Sequence, residues 1–130
     1  MLDKQFIPLV GSVAAGFPSP ADDYLESYID LNDLIVRNKP ATFFVKVDGD
    51  SMIGAGIFAG DLLVVDRSLA PGNDKVVVAC LDGDFTVKRL QKRGGKVLLI
   101  PENRKYKPID VTNRQDFAIW GVVTSVIHRV

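Results

Sequence analysis

Lys75-Val76-Val77-Val78-Ala79-Cys80-Leu81-Asp82-Gly83-Asp84-Phe85-Thr86-Val87-Lys88-Arg89-Leu90 is the stretch that decides the fold. Its first half, Lys75–Leu81, is β-branched and apolar and reads as a buried strand. Asp82-Gly83 places two residues tolerant of positive φ side by side, the signal of a two-residue hairpin turn. Phe85–Leu90 returns from that turn. Period-two geometry puts Lys88 on one face with Thr86 and Leu90, neither of them charged, and turns Arg89 to the other.

The pattern extends in both directions. Upstream, Pro71-Gly72-Asn73-Asp74 is a turn, Asp61–Asp66 holds the apolar run Leu62-Leu63-Val64-Val65, and Ala41–Val47 is aromatic and β-branched. Downstream, Gly94-Gly95 turns into Val97–Ile100, and Phe117–Ile127 is a long apolar last strand. Short strands joined this way predict a mainly β domain over 41–130, a sandwich or partly closed barrel.

Residues 1–40 have another character. Gly11-Ser12-Val13-Ala14-Ala15-Gly16-Phe17-Pro18-Ser19-Pro20 combines small residues with two prolines. That composition disfavours a helix interior and predicts a flexible, exposed N-terminal arm. One or two short helices follow in the expectation. Asp22 or Asp23 is placed to cap one over Tyr24–Ile29. Asp30 is placed to cap another over Leu31–Val36, stopped by Asn38-Lys39-Pro40.

Composition removes several classes of function. The chain has 130 residues, one domain's worth, and is 47% hydrophobic and 25% charged, so it can bury a core. Sixteen basic residues balance sixteen acidic ones. A duplex-DNA binder usually carries a basic excess or stripe. The densest cluster here (Lys88, Arg89, Lys92, Arg93, Lys96) reads as solvated strand and turn charge, so no direct sequence-specific DNA binding is expected. A single cysteine, Cys80, excludes an intrachain disulfide, and with the single histidine it cannot build a zinc site. Cys80 reads as core, and no metal or cofactor is expected. No apolar run approaches the ~18 residues of a membrane span. Met1-Leu2-Asp3-Lys4 is not a secretory signal, so a cytoplasmic protein is expected.

Two residues carry candidate chemistry. Ser51, in Gly49-Asp50-Ser51-Met52, follows a strand and precedes the glycine-rich Gly54–Gly60. A serine there is either a turn residue or a nucleophile with neighbouring N–H groups as an oxyanion hole. It is not the hydrolase elbow, because Ile53 stands where that motif needs glycine. A nucleophilic serine needs a base. His128, third from the C-terminus, is one option. A lysine is the other, but near its ordinary pKa of about 10.4 only on the order of one in a thousand molecules is neutral at pH 7. A lysine base must therefore be buried and away from carboxylates. Lys88 meets the pattern, yet a solvated strand lysine meets it too.

Taken together, Gly49-Asp50-Ser51-Met52 with Gly60-Asp61-Leu62-Leu63-Val64-Val65-Asp66, then Phe85-Thr86-Val87-Lys88-Arg89-Leu90, resembles the nucleophile and lysine blocks of the LexA/UmuD self-cleaving Ser-Lys peptidases. Ala15-Gly16 is similar to the small-residue bond these proteins cut. Gly16–Ala21, Ile29–Asn32 and Gly121–Val123 are most similar to the UmuD branch. The resemblance implies a small β-rich peptidase domain in which Ser51 is the nucleophile, Lys88 its base, and the Ser51 and Met52 backbone N–H groups the oxyanion hole. It also implies cleavage at Ala15–Gly16, stimulated by a RecA filament after DNA damage. The trimmed homodimer would then serve a UmuC-type translesion polymerase. A LexA or phage-repressor regulatory module and a non-catalytic docking subunit are the rival readings. Phe117–Ile127 is a candidate dimer surface or a core strand.

Overall fold

The computed structural model describes residues 6–17 and 27–130. It divides into two units, residues 1–37 and 38–130.

The second unit is one antiparallel sheet of seven strands. They are β3 (Thr42–Lys46), β4 (Leu62–Asp66), β5 (Val76–Leu81), β6 (Asp84–Arg93), β7 (Lys96–Ile100), β8 (Ile109–Asp110) and β9 (Phe117–Ile127). Their order is β3-β4-β9-β5-β6-β7-β8, so β3 and β8 are free edges and the barrel does not close. The result is a single sheet rather than a two-sheet sandwich, with apolar residues buried on both of its faces. Val78 joins Met52, Ile57, Leu63 and Val65 on one side. Its neighbours Val77 and Ala79 join Leu90, Leu99, Val111 and Val122 on the other. Consecutive strand residues point to opposite faces, so two adjacent valines can serve two cores. The run Leu63-Val64-Val65 is fully buried for the same reason: its strand is covered on both sides.

The turns form as the residues dictate. Asp82 and Gly83 both have positive φ (53° and 82°), as do Gly94 and Gly95 (58° and 77°), the backbone of a tight twisted hairpin. β9 lies between β4 and β5, so both its edges are occupied, and along its length only Gly121 and Val122 are buried. Its register slips against both neighbours, between Val64 and Val65 and between Val78 and Ala79. Such bulges bend a strand and add twist. Cys80 is half-buried rather than core.

The first unit contains a two-stranded sheet that the sequence reading does not include. β1 (Ile7–Leu9) pairs antiparallel with β2 (Ser27–Ile29), with Ile7 opposite Ile29 and Leu9 opposite Ser27. The helix expected over Tyr24–Ile29 is corrected for Ser27–Ile29. Tyr28 and Ile29 are strand formers, and here they have a partner strand. Asp22, Asp23 and the start of that segment lie outside the described residues. The second expected helix is present as α1 (Leu31–Ile35), its first turn capped by Asp30, whose carboxylate accepts from the Asn32 N–H at 2.9 Å. Among the described residues no helix is long and apolar enough to cross a membrane.

Candidate active site

Ser51 is held by a loop anchored at both ends. Where β3 ends, the Val47 N–H donates to the Asp61 carbonyl at 2.8 Å, and the Gly60 N–H donates to the Val47 carbonyl at 2.9 Å. After Ser51 comes a single 3-10 turn, Ile53–Ala55, closed by left-handed Gly56. Met52 is 2% exposed and packs into the core with Leu63, Val65 and Val78. Its side chain pins the loop from below, a role its neighbours in sequence do not announce.

Lys88 comes from the middle of β6, paired with Val77 of β5. It is 8% exposed, which corrects its inclusion in a solvated basic cluster. Its Nζ lies 2.9 Å from Ser51 Oγ, 2.7 Å from Thr86 Oγ1 and 3.0 Å from the Val87 carbonyl oxygen. No carboxylate is among these partners. Burial therefore holds the amine below the usual lysine value of 10.5, with no ion pair to restore it. The partner set also suits the neutral amine. Two N–H groups donate to Val87 and Thr86, and the lone pair is left for the Ser51 hydroxyl.

A cleft of about 350 Å³ opens at this pair, lined also by Val45, Lys46, Phe85 and Tyr106. Among the described residues, neither the Ser51 N–H nor the Met52 N–H has an acceptor. Ala15 and Gly16 belong to the first unit and lie in a bend, exposed, flanked by Val13 and Phe17, each 94% exposed. His128 does not join the site. Its Nδ1 meets the buried Asp61 carboxylate, and its ring contacts Phe58 at a centroid distance of 5.3 Å. The Phe58 N–H and then His128 hold the Asp61 carboxyl below its usual range.

One part of the site was not singled out in the sequence: the loop 101–108 after β7. The Glu102 N–H donates to the Ser51 carbonyl at 2.8 Å, and the Glu102 carbonyl accepts from the Gly54 N–H at 2.8 Å. Asn103 Nδ2 donates to the Asp50 carbonyl at 2.9 Å, and the Tyr106 hydroxyl donates to the Asp50 carboxylate, which pushes the phenol pKa up. Arg89, beside Lys88 in sequence, holds the Glu102 carboxylate at 2.6 Å. The signal available was Pro101-Glu102-Asn103 followed by Tyr106, turn residues with unusual hydrogen-bonding capacity.

Comparison with known proteins identifies relatives of this chain. The family model described as Peptidase S24-like matches residues 8–124. Protein SamA of Salmonella typhimurium is 46% identical over 115 residues, which span 88% of this chain and 79% of that protein. Protein ImpA of Escherichia coli is 47% identical over 119 residues, spanning 88% and 78%. LexA repressor 2 of Pseudomonas putida is 43% identical over 123 residues, spanning 95% of this chain but 60% of the repressor. A mainly β chain matched by this model over nearly its whole length belongs to the Peptidase S24-like family of peptidases, with the LexA and UmuD-like proteins.

Proposed function

We propose that this peptidase cuts its own chain once, between Ala15 and Gly16, with Ser51 as nucleophile and Lys88 as its base. The observation that carries the reading is the 2.9 Å approach of Lys88 Nζ to Ser51 Oγ in a buried setting without a carboxylate partner. Neutral Lys88 takes the Ser51 proton as Oγ attacks the Ala15 carbonyl carbon. The Ser51 and Met52 N–H groups receive the oxyanion. As the tetrahedral centre collapses, the Lys88 ammonium gives its proton to the Gly16 nitrogen, which leaves. Water, deprotonated by Lys88, then hydrolyses the Ala15 ester and restores Ser51. Because the substrate is tethered, its effective concentration is high and slow chemistry suffices.

The products are residues 1–15 and 16–130, the latter of 115 residues (130 − 15). In this reading cleavage follows DNA damage and is stimulated by a RecA filament. The trimmed chain works in the cytoplasm as a homodimer with a UmuC-type translesion polymerase. The identities favour this over a repressor module: 46% to SamA and 47% to ImpA, against 43% to LexA repressor 2. Incubation of the purified chain at alkaline pH, or with RecA filament, should yield a 115-residue fragment beginning at Gly16 by mass spectrometry. Ser51→Ala and Lys88→Ala should both be inert. Cleavage at the parent rate in either variant defeats the mechanism.

A further inference from the structure

The carbonyls of Asp50 and Ser51 are each gripped by the loop 101–108, and each belongs to a peptide plane that ends in an N–H of the proposed oxyanion hole. In a trans peptide the C=O and N–H lie in one rigid plane and point in opposite directions. Among the described residues no peptide bond is cis. The plane from Asp50 to Ser51 is held at its oxygen by Asn103 Nδ2, 2.9 Å away. The plane from Ser51 to Met52 is held at its oxygen by the Glu102 N–H, 2.8 Å away. Each grip turns the opposite end of its plane, the Ser51 N–H and the Met52 N–H respectively, away from loop 101–108.

We infer that Asn103 is a positioning residue for catalysis, aiming the Ser51 N–H at the developing oxyanion. The inference rests on the cleavage reading above. Asn103 is committed at both ends of its amide. Oδ1 accepts from the Lys105 N–H at 3.0 Å and closes its own turn, which leaves Nδ2 for Asp50. Glu102 contributes through its backbone, so side-chain replacement leaves its grip in place. Asn103 is therefore the half of the clamp that a mutation can release. Its side-chain hydrogen bonds go to Asp50 and Lys105, not to Lys88.

Asn103→Asp separates the two jobs. A carboxylate still accepts from the Lys105 N–H, but it cannot donate to the Asp50 carbonyl and repels it. Self-cleavage of the full chain is measured from pH 7 to pH 11. Losing one oxyanion donor outright costs about 100- to 1,000-fold, so misaiming one should lower the plateau rate roughly 10- to 100-fold. In Asn103→Ser, which adds no charge near Lys88, the pH at half-plateau should stay where the parent has it; the new carboxylate of Asn103→Asp should move it upward if it moves at all. A second readout uses Ser51→Cys, in which iodoacetamide alkylates the introduced thiol by a displacement that forms no oxyanion. Adding Asn103→Ser should leave that alkylation rate within about twofold, with Cys80 alkylation resolved by peptide mapping. Asn103→Ser keeps an acceptor for the turn but is too short to reach Asp50. It is measured beside Asn103→Asp and should show the same plateau loss. A parent-like plateau in either folded variant, a shifted half-plateau pH in Asn103→Ser, or a matching loss of alkylation overturns the inference and leaves Ser51 and Lys88 in place. A parent chain that never cleaves overturns the functional reading itself, and this inference with it.

Discussion

Replacing Gly54 by alanine should loosen the whole nucleophile loop. A methyl group built there lies 2.6 Å from the Glu102 carbonyl oxygen and 3.3 Å from its carbonyl carbon. The Gly54 backbone is not in the left-handed region, so the obstacle is space alone. A carbon–oxygen contact settles near 3.3 Å, so the two backbones must part by about 0.7 Å. The atom in the way is main chain, and it cannot swing aside like a side-chain tip. The displacement falls on the two 2.8 Å bonds that join these segments, Gly54 N–H to Glu102 carbonyl and Glu102 N–H to Ser51 carbonyl. Weakening two such bonds costs about 0.5–1.5 kcal/mol each, and overpacking adds about 1–3 kcal/mol. A loss of about 3 kcal/mol corresponds to a fall in Tm of roughly 10 °C or more at this size. The assay is thermal unfolding by circular dichroism in the Ser51→Ala background, which keeps the chain intact. Gly72→Ala is the control, since its methyl would meet only Lys75 Cγ at 3.8 Å. That control should be neutral or slightly stabilising, within about 1 kcal/mol. If Gly54→Ala melts within about 2 °C of its parent, the loop 101–108 is not the support argued for it.

Three further outcomes follow from the charges. The cleavage rate should rise about tenfold per pH unit and level off below pH 10.5, because burial lowers the Lys88 pKa; a profile still climbing beyond that value refutes a buried lysine base. The unfolded chain binds the Lys88 proton up to pH 10.5 while the folded chain releases it earlier, so stability rises with pH through that window. Lys88→Met should thus be more stable than the parent at pH 7, with the gap narrowing toward pH 10.5, as urea titrations can test. The Asp61 carboxyl lies below 3.8 when folded, so its stabilisation is present above that pH and fades as pH falls through the folded value. Asp61→Asn should lack that acid limb in a Tm-versus-pH series, and a curve identical to the parent would discount the Asp61 contacts with Phe58 and His128.

The hairpins were legible because their information is local. Asp82-Gly83 and Gly94-Gly95 dictate their turns without help from distant residues, and Asp30 caps its helix within two positions. β1, β2 and β8 are three, three and two residues long. Strands so short are defined by what pairs with them, and no window of sequence holds both partners. The site divides the same way. The face shared by Thr86 and Lys88 is period-two geometry, and it appears as the 2.7 Å bond between them. Ser51 and Lys88 stand 37 positions apart, and Asn103 grips Asp50 across 53. Contacts at that range belong to the fold, which is why Met52 reads as an ordinary turn neighbour until Leu63, Val65 and Val78 surround it.

The small sheet of the first unit bears on what a cut would accomplish. Residues 10–26 run between β1 and β2, and Ala15–Gly16 is inside that span. Scission there leaves Ile7–Leu9 on one product and Ser27–Ile29 on the other. A strand pair of three residues closed by its own chain becomes an encounter between two molecules. Loop closure had kept the strands at an effective concentration in the millimolar range, and dilution to micromolar protein removes that advantage about a thousandfold. So brief a pairing does not survive such dilution. A single hydrolysis would thereby act as a one-way latch, and the strand it frees, Ser27-Tyr28-Ile29, becomes an open hydrogen-bonding edge on the longer product.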